Sequence, residues 1–286
     1  MNLREHMSLF ARRHLWAKRA LLSILPNFQR TIRVPGIGPF RIRVRDHRCY
    51  WLRDPLEQDR LFLGGISNLM QPGMVVWDVG SHIGLYARLF AEVLGAESVV
   101  AFEPDPRNRE LLAKNVRLAR EPHRITIQPY ALSAADETSA FFNDDDSTQR
   151  GHLVGVRGED VGHHGGQVMV ETRTVDSLVA SGVCPVPGLI KIDVEGAEAL
   201  VLHGARETLA HHSPLLAIEL HGFEVRTPVF EELTQAGYVV FGYRSRKWRQ
   251  LTAQDFANPT TLYDPRHVYA ARDAERLRRP ALLIDL

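Results

Sequence analysis

The sequence is short of cysteine, has no charge excess and has no long apolar run. Cys49 and Cys184 are its two cysteines among 286 residues. They are too few for a disulfide framework, and their separation matches no metal-ligand spacing. Two reduced thiols in a cytoplasmic protein are therefore expected. With Lys+Arg 35 and Asp+Glu 34, the formal net charge is +1. Phosphate binding needs a basic excess on some face, so no nucleic-acid partner is expected. Residues 7–25 are interrupted by Arg12, Arg13, Lys18 and Arg19. They make neither a secretory core nor a bilayer span. The expectation for them is a helix packed on the domain, or on a second subunit as a homodimer. A basic helix lying on the inner face of the membrane is the alternative.

What the sequence does contain is centred on Met74 to Ala87, MVVWDVGSHIGLYA. Val75, Val76 and Trp77 form a short apolar, β-branched run. Asp78, Gly80, Ser81 and Gly84 follow, and then the periodic Ile83, Leu85, Leu89 and Phe90. That order predicts a buried strand, a tight turn and the start of a helix. Gly80 is expected to let the backbone approach a ligand, and Gly84 to let the helix pack close to the strand. A dinucleotide-binding turn reads G-x-G-x-x-G, but His82 stands where its second glycine would fall. Asp78 would also repel a pyrophosphate, whereas it suits a cationic or zwitterionic ligand. D-x-G-x-x-x-G after an apolar strand resembles the first motif of S-adenosylmethionine-dependent methyltransferases.

A second apolar run, Ser98 to Phe102, ends in Glu103. A carboxylate after this strand suits the two hydroxyls of a ribose. Pro104-Asp105-Pro106 then starts a helix. Ile125 and Ile127 open a third strand that exits through Tyr130, Ala131, Leu132 and Ser133. Residues 139–172 are the least orderly stretch. They hold the acidic cluster Asp144, Asp145 and Asp146 and the glycines of a loop or lid, with a solvated loop favoured over a metal site.

Two later strands carry ionisable groups out of their ends. Leu189-Ile190-Lys191-Ile192 leads into Asp193, Val194, Glu195, Gly196, Ala197 and Glu198. Asp193 and Glu195 point the same way if the chain is still extended there. Leu215 to Ile218 leads into Glu219, Leu220, His221 and Gly222. If the strands are neighbours, Asp193, Glu195, Glu219 and His221 converge. An alcohol nucleophile needs a base or a metal to take or loosen its proton. His221 is the candidate base. Asp193 and Glu195 are expected to orient the hydroxyl and a ligand ammonium, or with Glu219 instead to hold a Mg²⁺.

Together VVWDVGSHIGLYA, VVAFEPDP, ALSA, LIKIDVEGAE and AIELHG resemble the FkbM family of S-adenosylmethionine-dependent O-methyltransferases, from about Leu69 to about Val240. His82 stands where family members often carry Asn. The resemblance implies a Rossmann-like class I methyltransferase fold, α/β, with a central, mostly parallel seven-stranded sheet and helices on both faces. It implies an O-methyltransferase of a sugar, glycolipid or other polyhydroxylated compound, with S-adenosylmethionine as cofactor. Asp78, Gly80, Ser81, His82, Gly84, Glu103, Ala131, Leu132, Ser133 and Asp193 become the candidate cofactor contacts. Residues 1–55 are expected to be a helix and β-hairpin extension, 56–275 the methyltransferase domain, and 276–286 a tail. The alternatives are an NAD-dependent oxidoreductase on a similar fold and a binding protein without turnover. Tyr238 to Phe241 and His267 to Ala271 are expected as a hairpin closing the sheet, with a basic loop at 244–249 between them.

Overall fold

Runs of Val, Ile and Leu without polar alternation read as strands covered on both faces. The computed structural model places them in that way. It describes residues 27–52, 54–142, 152–153, 167–245, 247–257 and 266–277. The expected helix at 7–25, the acidic cluster at 144–146 and most of the tail lie outside the described residues.

The strands, in chain order, are β1 (Gln29–Val34), β2 (Gly38–Arg43), β3 (Val75–Val79), β4 (Ser98–Phe102), β5 (Ile125–Gln128), β6 (Ala131–Leu132) and β7 (Glu137–Phe142). They continue as β8 (His152–Leu153), β9 (Gln167–Arg173), β10 (Leu189–Ile192), β11 (Leu215–Glu219), β12 (Val239–Arg244), β13 (Lys247–Gln250) and β14 (His267–Ala271). Eight of them form one sheet in the order β13-β12-β14-β11-β10-β3-β4-β5. From β11 to β5 the pairs are parallel, while β14 runs antiparallel to both β11 and β12. β13 is one strand more than the sequence suggests. Lys247–Gln250 pairs antiparallel with β12 at the sheet edge, so part of the expected basic loop is a strand. β12 and β14 are neighbours as expected.

Residues of β3 alternate between two apolar clusters. Val76 packs with the helices Arg60–Leu69, Leu85–Glu92 and Pro106–Arg117. Trp77 and Val79 face the opposite way, with Val201, Leu209 and Val229. This is the period-two geometry of a strand covered on both sides. Within the stretch 139–172 the described residues, 139–142, 152–153 and 167–172, lie in strands. There β7 and β9 pair antiparallel, and with β6 and β8 they make a four-stranded sheet. Ahead of β3, the chain forms two helices that meet at Asp59, Pro55–Gln58 and Arg60–Leu69.

The β1–β2 hairpin is tied to the main sheet by buried polar groups. Asn115 accepts from the Arg41 N–H at 2.6 Å and donates to the Arg41 carbonyl at 3.0 Å. Arg88 is fully buried; it pairs with Glu92 and donates to the carbonyls of Ile37 and Pro39. Phe40 and Ile42 share a core with Leu111 and Leu112. The register places Arg33, Arg41 and Arg43 on the other hairpin face. Arg33 is exposed there, and Arg43 lies 3.5 Å from Glu110. Among the described residues no helix is long and apolar enough to cross a membrane.

Candidate active site

The strand order reverses between β3 and β10, where ligands bind in open α/β sheets. The two strand exits are locked together there. Asp193 donates its N–H to Val79 at 3.0 Å, and a Cβ on Gly80 would lie 1.9 Å from the Asp193 carbonyl. Gly80 also has a φ of 80°. Both facts require glycine. The close approach is to the neighbouring strand exit, rather than to a ligand directly.

One cleft runs across this junction, about 1150 Å³ with the open solvent at its mouth included. That is room for a ligand much larger than a metal ion. At one end the turn after β3 closes onto β4, with the N–H groups of Gly80 and Ser81 both donating to Phe102. Glu103 is buried beside it. Its carboxylate accepts from the N–H of His82 at 2.8 Å and of Asp105 at 2.9 Å. Burial pushes the Glu103 carboxyl up to about 8, against the pull of those two hydrogen bonds. His82 is held well below its usual range, first by burial, and its Nε2 is buried without a hydrogen-bond partner. Phe102, Tyr130, Leu132, Phe141 and Leu153 give this end an apolar lining.

The other end is charged. His221 Nδ1 lies 2.9 Å from Glu198. Its Nε2 lies 3.5 Å from Asp193, 3.7 Å from Glu195 and 3.9 Å from Glu219. Burial alone would lower the His221 pKa, but Glu198, Asp193 and Glu195 outweigh it and raise it to about 9. Lys191 is buried between Asp78 and Asp193, its Nζ 3.1 Å from each, under the ring of Tyr86. Burial pushes the Asp193 carboxyl up, but Lys191 and His221 hold it below the usual carboxylate range. The Asp59 carboxylate accepts from the Tyr86 hydroxyl at 3.2 Å. Burial, then Glu219 and Asp193, push its carboxyl up to about 6.

The model of the methyltransferase FkbM domain matches residues 78–240, more than half of the chain. The chain belongs to the FkbM methyltransferase family. Among curated relatives it is 31% identical over 147 residues to hexuronic acid methyltransferase AglP of Haloferax volcanii, covering 51% of this chain and 56% of AglP. It is 27% identical over 168 residues to 2-O-methyltransferase NoeI of Sinorhizobium fredii, covering 55% of this chain and 68% of NoeI. The matched region thus spans little more than half of AglP. A solved FkbM methyltransferase from Methylobacillus flagellatus KT aligns at 19% identity and a TM-score of 0.44, covering 69% of this chain and 43% of that one.

Of the residues singled out in the family motifs, Gly80, Ser81, His82, Glu103, Ala131, Leu132, Asp193, Glu195, Glu219 and His221 line the cleft. Three others do not. Asp78 is fully buried behind the wall on Lys191. Gly84 faces a second helix, where a Cβ would meet Leu112 at 2.5 Å, so its close packing is against that helix and not the strand. Ser133 lies under Gly204, whose Cβ would meet the Ser133 carbonyl at 2.1 Å. Asp193 and Glu195 share the cleft, although not by strand alternation: Glu195 has a φ of 53°, so the chain has already turned. The sequence reading passed over Lys191, Glu198, Tyr50, Tyr86 and Asp59. A lysine inside the apolar run Leu189–Ile192 was a usable signal, since a buried cation requires a partner.

Proposed function

We propose that the protein transfers a methyl group from S-adenosylmethionine to a hydroxyl of a sugar or similar polyhydroxylated compound. The observation that carries this reading is one cleft with two differently built ends. The apolar end, with Glu103, suits an adenosine; the charged end suits a hydroxyl nucleophile. The printed names of AglP and NoeI support methylation of a sugar-like acceptor. The residues fit the cofactor on their own chemistry. The Glu103 oxygens each keep a lone pair for a ribose hydroxyl. His82 Nε2 is a polar atom still to be satisfied, and Asp193 can meet an ammonium. When bound, S-adenosylmethionine supplies an electrophilic methyl whose carbon–sulfur bond breaks, its electron pair going to sulfur, as the oxygen–carbon bond forms.

His221 is the proposed base. Glu198 takes the Nδ1–H, which leaves Nε2 as the nitrogen that receives the hydroxyl proton. With only the protein's charges around it, His221 keeps its proton to about pH 9. A cationic ligand in the cleft lowers that value by like-charge repulsion. Base function therefore places activity on a limb that rises toward alkaline pH. Ligand atoms of Asp193, Glu219 and His221 lie within 4.8 Å of one another, a spacing a Mg²⁺ could use. Lys191 and His221 already neutralise Asp193, so we favour deprotonation without metal.

The test is S-adenosylhomocysteine formation with a panel of sugars. His221→Ala is expected to lower kcat by about 10²–10⁴-fold, the usual worth of a general base, with cofactor affinity retained. EDTA is expected to leave turnover unchanged. A His221→Ala protein as fast as wild type removes His221 from the chemistry, and loss of turnover in EDTA restores the metal.

A further inference from the structure

The charged end of the cleft is not built from the matched family region alone. Tyr50 and Asp59 also line it, and both precede residue 78. Asp59 sits at the break between the helices Pro55–Gln58 and Arg60–Leu69. Its side chain caps neither the second helix nor its own turn. The Tyr86 hydroxyl holds it instead, 3.2 Å away. Opposite it are Asp193 and Glu219, whose negative charges both act on Asp59.

Carboxylates therefore dominate this end: Asp59, Asp193, Glu195 and Glu219. Among the described residues, every cation facing it already carries a carboxylate. Lys191 has Asp78 and Asp193, and Tyr86 covers it. His221 has Glu198 on Nδ1 and three acids around Nε2. Beside these two cations, the His267 imidazole lies 3.6 Å from Glu219 and stacks on Phe62. A carboxylate on an incoming sugar would meet like charge and find no cation to pair with, a repulsion strengthened by partial burial. A neutral diol would find several hydroxyl acceptors, and an ammonium would find opposite charge.

We propose that Asp59 is a specificity-determining residue, through which the acceptor end selects uncharged or ammonium-bearing sugars and rejects uronic acids. The proposal rests on the methyl-transfer reading, and its selection runs opposite to the acceptor in the name of AglP. The test uses the full chain in EDTA with matched neutral, 2-amino and uronate methyl glycosides in gluco, galacto and manno configuration. Turnover is read as S-adenosylhomocysteine and binding by calorimetry. The neutral sugar is expected to exceed its uronate by about tenfold or more in kcat/KM. Asp59→Asn is expected to narrow that ratio several-fold, mainly through KM for the uronate, and Asp59→Glu to keep it. Uronate binding as tight as that of its neutral partner overturns the proposal, whatever the turnover. So does a folded Asp59→Asn protein with an unchanged ratio. Selective binding of the neutral sugar without any methylation, in EDTA and again with Mg²⁺ restored, keeps the charge selection and removes the methyl-transfer reading.

Discussion

Glu103 and Asp193 are carboxylates at the exits of strands flanking β3, and they line the same cleft. Burial penalises the charged form of both, and it is the largest influence on each. They nonetheless end on opposite sides of the ordinary carboxylate value. Glu103 rises to about 8, because its hydrogen-bond donors are neutral backbone N–H groups and Asp105 adds a like charge. Asp193 falls, because Lys191 and His221 place cations beside it. The charge of the partner, more than the depth of burial, decides which form a cleft carboxylate adopts. One end is thus poised to gain from hydroxyl donors on a ligand, and the other is already charged.

Four experiments break or sharpen that contrast. The largest effect is expected from Lys191→Met. It leaves Asp78 buried without its cation and is expected to cost about 3–5 kcal/mol of stability, read by denaturant unfolding. Carboxylate NMR of the surviving folded protein is expected to show Asp193 rising toward the behaviour of Glu103. An Asp193 that stays low refutes the role given to Lys191. Next is Gly80→Ala, which sets a Cβ against the Asp193 carbonyl in a left-handed backbone. A loss of about 2–3 kcal/mol is expected, with weakened cofactor binding because the two strand exits separate. A variant with full cofactor affinity would show that the junction does not shape the site.

Glu103→Gln comes third. Replacing a carboxyl oxygen that faces the ribose with an amide is expected to weaken cofactor affinity by about 10–100-fold by calorimetry. The same variant has a signature without ligand. A carboxyl whose folded pKa is raised binds more protons folded than unfolded, so stability falls as pH rises from its ordinary value to about 8. Wild type is expected to lose stability across that window, and Glu103→Gln to flatten the loss. The smallest effect belongs to His221. Its raised pKa gives a stabilisation fully present below about 6.5 and lost as pH rises through about 9, on the order of 1–2 kcal/mol after solvent screening. Thermal unfolding of His221→Gln between pH 6 and 10 is expected to lack that decline.

Much of this arrangement was legible in the residue order. Apolar runs that end in Asp193, Glu219 and Glu103 mark strand exits, and the polar atoms there have no packing reason to be present. Gly80 was readable as a required glycine, but not its neighbour, because Asp193 is more than a hundred residues away. Asp78 has the right type and spacing for a ligand contact, and near the end of β3 it is buried against Lys191 behind the cleft wall. Glu195 reaches the cleft through a left-handed turn, which a period-two pattern cannot show. β13 was hidden because Lys247, Arg249 and Gln250 face solvent at an edge, where strand and loop have similar composition.

By itself the sequence determined the strand ends, the obligatory turn at Gly80 and the residue types available for chemistry, since these follow from local sterics and from the cost of burying polar atoms. Tertiary structure alone decided which of those groups meet. It set Lys191 between Asp78 and Asp193, gave His221 its carboxylate partners, and brought Asp59 from ahead of β3 to the charged end of the cleft. Ionisation depends on the charges a few ångströms away, and in this chain several of those, such as Asp78 beside Lys191 and Glu198 beside His221, come from segments apart in sequence.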